Sequence, residues 1–262
     1  MLDKIIRNLK EPRKLAGRLV KIIKNKKRYT AEDRAYWESL KNSARGKRAF
    51  VIGNGPSLTM PDLELLKDEV TIASNKIFLA FNEVSWRPSY YTAADPILWD
   101  KIKDEVSNHF DTIHIPTYLD RENNGKIRYW LAAHMGLFER FSGDMSKKAY
   151  SGQTITYENI QLAVHLGCNP IYIIGCDHYY AGESNVSAGV AIEQSEDQNH
   201  FIKNYRQPGE IVLPAPIREM EIAYRAAREY CDANNIKIYN ATRGGYLEIF
   251  ERADLDEILD NQ

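Results

Sequence analysis

The chain has 262 residues, 44% of them hydrophobic and 27% charged, with a formal net charge of −1. An α/β chain of that size buries about 70–75% of the surface its unfolded form exposes, so it needs neither disulfides nor a structural metal to hold together. Three cysteines (Cys168, Cys176, Cys231) without metal-like spacing exclude a disulfide framework, and no run of about 18 apolar residues is present to span a bilayer. With no continuous apolar leader at the N-terminus, a reducing cytoplasm is the expected compartment.

Near-neutrality hides an asymmetry. Residues 1–28 carry eleven Lys and Arg against Asp3 and Glu11, which leaves the remainder acidic. Within them Leu2, Ile5, Ile6 and Leu9, then Leu15, Leu19, Val20, Ile22 and Ile23, recur at near-helical spacing. A basic amphipathic helix pair broken near Pro12 is expected. Such a segment can lie on anionic lipid at the inner face of the cell membrane, each cation adding about 1 kcal/mol. A solvated or partner-packed extension fits the same residues equally well. A nucleic-acid arm is not expected, because no aromatic residue interleaves the charges before Tyr29.

Residues 30–45 read as a helix, capped by Thr30 with Asp33 three positions on. Residues 1–45 are therefore expected as a helical extension, and residues 46–262 as the catalytic domain. Its first strand is Arg48 to Ile52, a continuous apolar run of the kind buried on both faces of a parallel sheet. Further strands are expected at Val70–Ala73, Tyr90–Ala93, Thr112–Ile115, Pro170–Gly175 and Ile236–Tyr239, with helices over 153–167 and Glu219–Asn234. Strands alternating with helices predict a doubly wound, mainly parallel, Rossmann-like α/β sheet in a single domain. Residues 182–210 are polar, and a lid is expected over about 181–215.

In such sheets ligands sit beyond the carboxyl ends of the strands. Gly53-Asn54-Gly55-Pro56-Ser57 follows the first strand directly, and small residues there let backbone amides approach a phosphate. The same turn can be a tight connection with no ligand. Ser151, Gly152, Thr154 and Thr156 open a helix, where simple capping accounts for them. Asp177, His178, Tyr179 and Tyr180 end the most apolar strand, and such groups are expensive to bury without a task. Asp177 can bind a metal or orient a sugar hydroxyl; His178 can equally be a packing residue. His200, in Asn199-His200-Phe201, is of the residue type that takes a proton from an attacking hydroxyl at neutral pH, although surface histidines are common.

Five segments in one order carry a resemblance: Val51–Leu58, Ala73–Ile77, Tyr150–Thr154, Ile174–Tyr179 and Asn199–Phe201. Together they resemble the superfamily that joins MptE-like 6-hydroxymethylpterin diphosphokinases, motility-associated-factor flagellin glycosyltransferases and small bacterial sialyltransferases. The resemblance covers roughly residues 46–250. On the sialyltransferase side it implies metal-independent, inverting transfer from a CMP-activated acidic sugar. Asn54, Gly55, Pro56 and Ser57 are then on the phosphate side and Asn75 on the nucleotide. Asp95 stands after the third strand, where those enzymes carry a second Asn. Ser151 and Gly152 are implied to line the donor pocket, Tyr179 to hydrogen-bond the departing phosphate, and His200 to act as general base. Asp177, His178 and Tyr180 are candidate substrate contacts, and Arg243 supplies a cation for a carboxylate or phosphate.

The expected function is a glycosyltransferase of surface-glycan assembly, with a nucleotide-sugar donor and a glycan, lipid-linked or protein acceptor. It needs no cofactor, and a homo-oligomer is compatible with it. The rival is a pyrophosphokinase of the pterin type, which needs Mg²⁺ and offers Asp95 and Asp177 as ligands. A third reading is a non-catalytic nucleotide-binding module.

Overall fold

Apolar runs become strands where both faces of a sheet can cover them, and six of these runs do so. In the computed structural model they form β1 (Ala49–Ile52), β2 (Val70–Ser74), β3 (Tyr90–Thr92), β4 (Ile113–Pro116), β8 (Ile171–Ile174) and β11 (Ile238–Asn240). Described residues are 26–119, 125–134, 140–181, 192–194, 198–212 and 214–260. The helix pair expected before residue 26, and positions 182–191, 195–197 and 213 of the expected lid, lie outside them.

Short β5 (Ile127–Trp130) and β12 (Glu251–Arg252) complete an eight-stranded sheet of order β12-β11-β8-β1-β2-β3-β4-β5. Every pairing in it is parallel. The period of two along each strand divides the core. Ala49 and Val51 pack on one face with Ile171 and Ile173, whereas Phe50 and Ile52 pack on the other with Ile174. Helices α1 (Ala31–Leu40), α4 (Ile155–His165) and α5 (Ile217–Ala233) cover the first face. The second is covered by α2 (Met60–Leu65), a 3₁₀ segment (Asn75–Asn82), α3 (Pro96–His109) and α6 (Leu255–Asp260). This is a doubly wound, Rossmann-like α/β fold.

The expected capping box at Thr30 and Asp33 is present. Its helix stops at Leu40, short of residue 45, because Asn42 turns to φ 60° and the chain hands its amides to α4 instead. Asn42 N donates to His165 O and Ala44 N to Leu166 O. Helix α3 was not expected. Asp95 caps it, accepting from Ile97 N at 2.8 Å and Leu98 N at 3.2 Å, with Pro96 in the first turn. Two small pairings lie outside the main sheet: parallel β6 (Ala132–His134) with β7 (Ala149–Ser151), and antiparallel β9 (Ile192–Gln194) with β10 (Glu210–Val212). The second pair stands within the expected lid. Among the described residues no helix is long and apolar enough to cross a membrane.

Candidate functional site

The chain winds outward from β1 through β2 to β5 on one side, and from β8 to β11 and β12 on the other. The β1/β8 border is therefore the topological switch point, where a crevice opens beyond the carboxyl ends of the strands. Two connections meet there. Gly53 N donates to Ile174 O at 2.8 Å, and Gly55 N to Gly175 O at 2.8 Å. The Asp177 carboxylate accepts from the Ser57 hydroxyl at 2.9 Å and from Ser57 N at 3.4 Å. Burial raises the Asp177 pKa, and the Ser57 bonds oppose that rise. Glycine is needed because the two connections nearly touch. A Cβ on Gly55 would stand 2.0 Å from Asp177 Oδ2, and one on Gly53 would stand 2.3 Å from Gly175 O. The turn expected to be an open nest of amides is thus braced by Asp177 and Gly175, with the Gly55 and Ser57 amides already engaged.

A segment inside the expected lid, Asn199–Phe201, docks on this turn. Phe201 N donates to Asn54 O at 3.0 Å, which brings Asn199 and His200 to the end of β1. Asn199 ties this segment to the start of the expected lid: its Oδ1 accepts from Ala181 N at 2.7 Å and its Nδ2 donates to Ala181 O at 3.2 Å. The half-buried His200 ring stacks on Tyr205, with centroids 3.8 Å apart and planes 7° from parallel. Tyr205 is buried and reaches β2's end, where Lys76 N donates to its hydroxyl at 3.4 Å and Lys76 Nζ donates to its carbonyl. A cavity results whose lining includes Asn75, Lys76, Asp95, Lys101, His200, Tyr205, Arg206 and Glu210. Three cations there face two carboxylates, one pair of them being Lys101 and Glu210 at 2.7 Å. Asn54, Asn75, Asp95 and His200 are therefore brought together.

Other candidates sit differently. His178 has φ 53°, packs its ring 5.9 Å from Tyr224 and lies 3.7 Å from Glu221 Oε1, and burial lowers its pKa. Its surroundings are those of a packing residue. Tyr179 is 57% exposed, does not line that cavity, and lies beside the exposed Tyr246 at 5.6 Å. Tyr180 is half-buried against the first core face. The guanidinium of Arg243, expected to meet a substrate anion, grips Asp62 through two bonds of 2.8 Å and Asp256 through another of 2.5 Å. Asp62 is buried, so Arg243 answers a charge of the protein itself.

Thr154 caps α4 as capping chemistry alone requires, accepting from Thr156 N at 3.4 Å. Gly152 is glycine because a Cβ would lie 2.4 Å from the Tyr157 ring. The Glu158 backbone amide, the Ser151 hydroxyl and the Gly152 amide favour the charged form of Glu158, a buried acid that sequence reasoning passed over. Burial pushes the Glu158 pKa up to about 8. In the sequence it is an acid in the first turn of a helix that also carries Thr156, Asn159, Gln161 and His165, so nothing local marks it as buried. Lys76, Lys101, Tyr205 and Arg206 were also passed over; only Lys76, next to Asn75 in a quoted segment, had a local cue.

Among the described residues no three His, Cys, Asp or Glu side chains gather as a metal-ligand set. Asp95 uses Oδ1 for its helix cap and Asp177 uses Oδ2 for Ser57, so each retains a second oxygen. One such oxygen, joined by substrate phosphates, suffices for Mg²⁺.

A protein-family model described as 6-hydroxymethylpterin diphosphokinase MptE-like matches residues 20–183. No curated protein sequence matches the chain. Among solved structures it is similar to the sialyltransferase CstII from Campylobacter jejuni, determined with the substrate analogue CMP-3FNeuAc, at 14% identity and a TM-score of 0.43, covering 79% of this chain and 85% of that one.

Proposed function

Because this chain belongs to the MptE-like family, we propose that it is a nucleotide-dependent transferase working at the β1/β8 switch point. In the finer reading it moves a CMP-linked acidic sugar, with inversion, to a hydroxyl of a surface glycan or glycoprotein. The observation that supports this is the Phe201 N to Asn54 O bond, which sets His200 beside the glycine turn and over a cavity rich in cations.

In this reading the donor phosphate lies between the turn and the Lys76, Lys101 and Arg206 side chains, whose charge favours an anion. Asn54 and Asn75 meet the nucleotide. His200 removes the acceptor's proton as the acceptor oxygen bonds to the anomeric carbon. The bond from that carbon to the phosphate oxygen breaks, and its electron pair leaves with CMP. The exposed Tyr179 hydroxyl is available to donate to the departing phosphate. Stacking on Tyr205 holds the imidazole plane, so the base meets the hydroxyl in one orientation.

Thermal unfolding with CMP, CDP, UDP, ATP or GTP, each in EDTA and in Mg²⁺, tests the reading. CMP in EDTA is expected to stabilise, by about 2.7 kcal/mol at a hundred times its Kd. Stabilisation by ATP with Mg²⁺ alone would overturn it. That outcome would favour a second reading, in which diphosphate passes from ATP to a hydroxymethyl group. The presence of Asp95 in the same cavity supports it, with Asp95 or Asp177 holding Mg²⁺ against the phosphates.

A further inference from the structure

Two of the most exposed large side chains among the described residues stand together. Tyr246 is 67% exposed and Tyr179 57%, with ring centroids 5.6 Å apart. Tyr246 comes from the loop after β11 and Tyr179 from the connection after β8. An exposed ring on a surface loop is ordinarily loose, but the backbone beneath this pair is held. Tyr246 N donates to Asp177 O at 2.8 Å. Gly244 and Gly245 turn to φ 67° and 71°, and a Cβ on Gly245 would stand 2.7 Å from Asp177 O. The Arg252 guanidinium reaches back across the loop and donates to Thr242 O at 3.0 Å, Gly244 O at 2.5 Å and Gly245 O at 3.1 Å. Glu248 holds that guanidinium in turn. Fixing the backbone under a ring that stays in solvent contributes little to the fold; it lowers the ordering cost of binding something against the ring. Asp177 also braces the glycine turn through Ser57, so the pair flanks the proposed transfer site without lining its cavity.

The geometry says what fits there. Two rings so exposed offer about 300 Å² at most, far below the roughly 800 Å² per partner of a stable protein interface. A flat heterocycle held between two phenols needs them parallel and about 7 Å apart, twice a van der Waals contact. These two are inclined by 43° at 5.6 Å. A pyranose suits them better, because its C–H face can lie on one phenol ring while a hydroxyl bonds the other's OH. The arginines of this loop are engaged, Arg243 with Asp62 and Asp256 and Arg252 with Glu248, so the surface favours a neutral sugar over an acidic one.

We propose that Tyr246, with Tyr179 beside it, forms an acceptor subsite on which a neutral sugar residue of the acceptor glycan stacks. The proposal rests on the reading of this chain as a glycosyltransferase and adds the acceptor's side to it.

Saturation-transfer NMR on the full chain with CMP in EDTA tests it. The probes are the methyl glycosides of galactose, glucose, N-acetylgalactosamine and N-acetylglucosamine, with 6-hydroxymethylpterin as the flat rival. At least one glycoside is expected to receive saturation, strongest at its ring C–H protons. Tyr246→Ala is expected to weaken that binding about tenfold or more, and Tyr246→Phe, which keeps the ring face, by less than about threefold. Both variants are expected to keep the parent's CMP affinity. Should Tyr246→Ala not unfold cooperatively, Tyr246→Ser takes its place. Saturation of no glycoside, saturation of 6-hydroxymethylpterin alone, or glycoside binding that survives loss of the Tyr246 ring overturns the proposal; with CMP still bound, the transferase reading stands. No binding of CMP by the parent chain overturns that reading, and the proposal with it.

Discussion

Gly55 occupies a point where no side chain fits, since its Cβ would meet Asp177 Oδ2 at 2.0 Å and Gly175 O at 2.8 Å. The second neighbour is backbone and cannot swing aside. Gly55→Ala is expected to cost about 1–3 kcal/mol in thermal unfolding and to weaken nucleotide binding as well; a variant with unchanged Tm would show that the β1 and β8 connections are not tightly apposed. At His200 the expectation differs. His200→Ala should keep nucleotide affinity and lose turnover, and unchanged turnover would remove His200 from the chemistry. Both residues were legible as members of short motifs. Arg243 was legible only as a cation, because its partner Asp62 lies 181 positions away in sequence and only the fold joins them. Glu158 was not legible as a buried acid at all, since an acid in a helix is ordinarily a surface group.

Elements carry their own consequences. Every residue of α4 from Thr156 to His165 is buried, and Glu158 is sealed inside with its pKa near 8 instead of the ordinary 4.5. A carboxyl that holds its proton more tightly folded than unfolded makes stability greatest below about pH 4.5. That stability is lost as pH rises to 8. Glu158→Gln stays neutral throughout, so its Tm relative to the parent chain should be higher at pH 9 than at pH 5. An equal difference at both pH values would mean that Glu158 titrates normally. Arg243 ties the loop after β11 to α2 and α6. Arg243→Leu leaves the Asp62 carboxylate buried and is expected to cost about 2–3 kcal/mol in denaturant unfolding, less than a fully buried pair because the Arg243 side chain is 39% exposed. A loss below about 0.5 kcal/mol, typical of a surface pair, would contradict that placement. Among the strands, those buried on both faces were legible as continuous apolar runs. The three-residue β6, β7, β9 and β10 are too short to show a period. Helix α3 hid behind Asp95-Pro96, a helix start that was weighed only as a ligand contact.

For the whole molecule, the parallel order of the sheet fixes where a ligand can sit. Strands leaving β1 in opposite directions open one crevice, and the polar residues at the ends of β1, β2 and β3 meet there with the segment around His200. Fold class was legible because alternating apolar strands and helices admit few arrangements. The cavity's cations were not, because Lys76 sits in the 3₁₀ segment, Lys101 on α3 and Arg206 ahead of β10. Amide hydrogen exchange of the full chain with and without saturating CMP in EDTA tests the central claim most directly. Slowed exchange is expected together at residues 54–57, 75–76 and 199–206. Protection confined to other regions, or absent from all three segments while CMP is bound, would contradict a nucleotide site at the β1/β8 switch point.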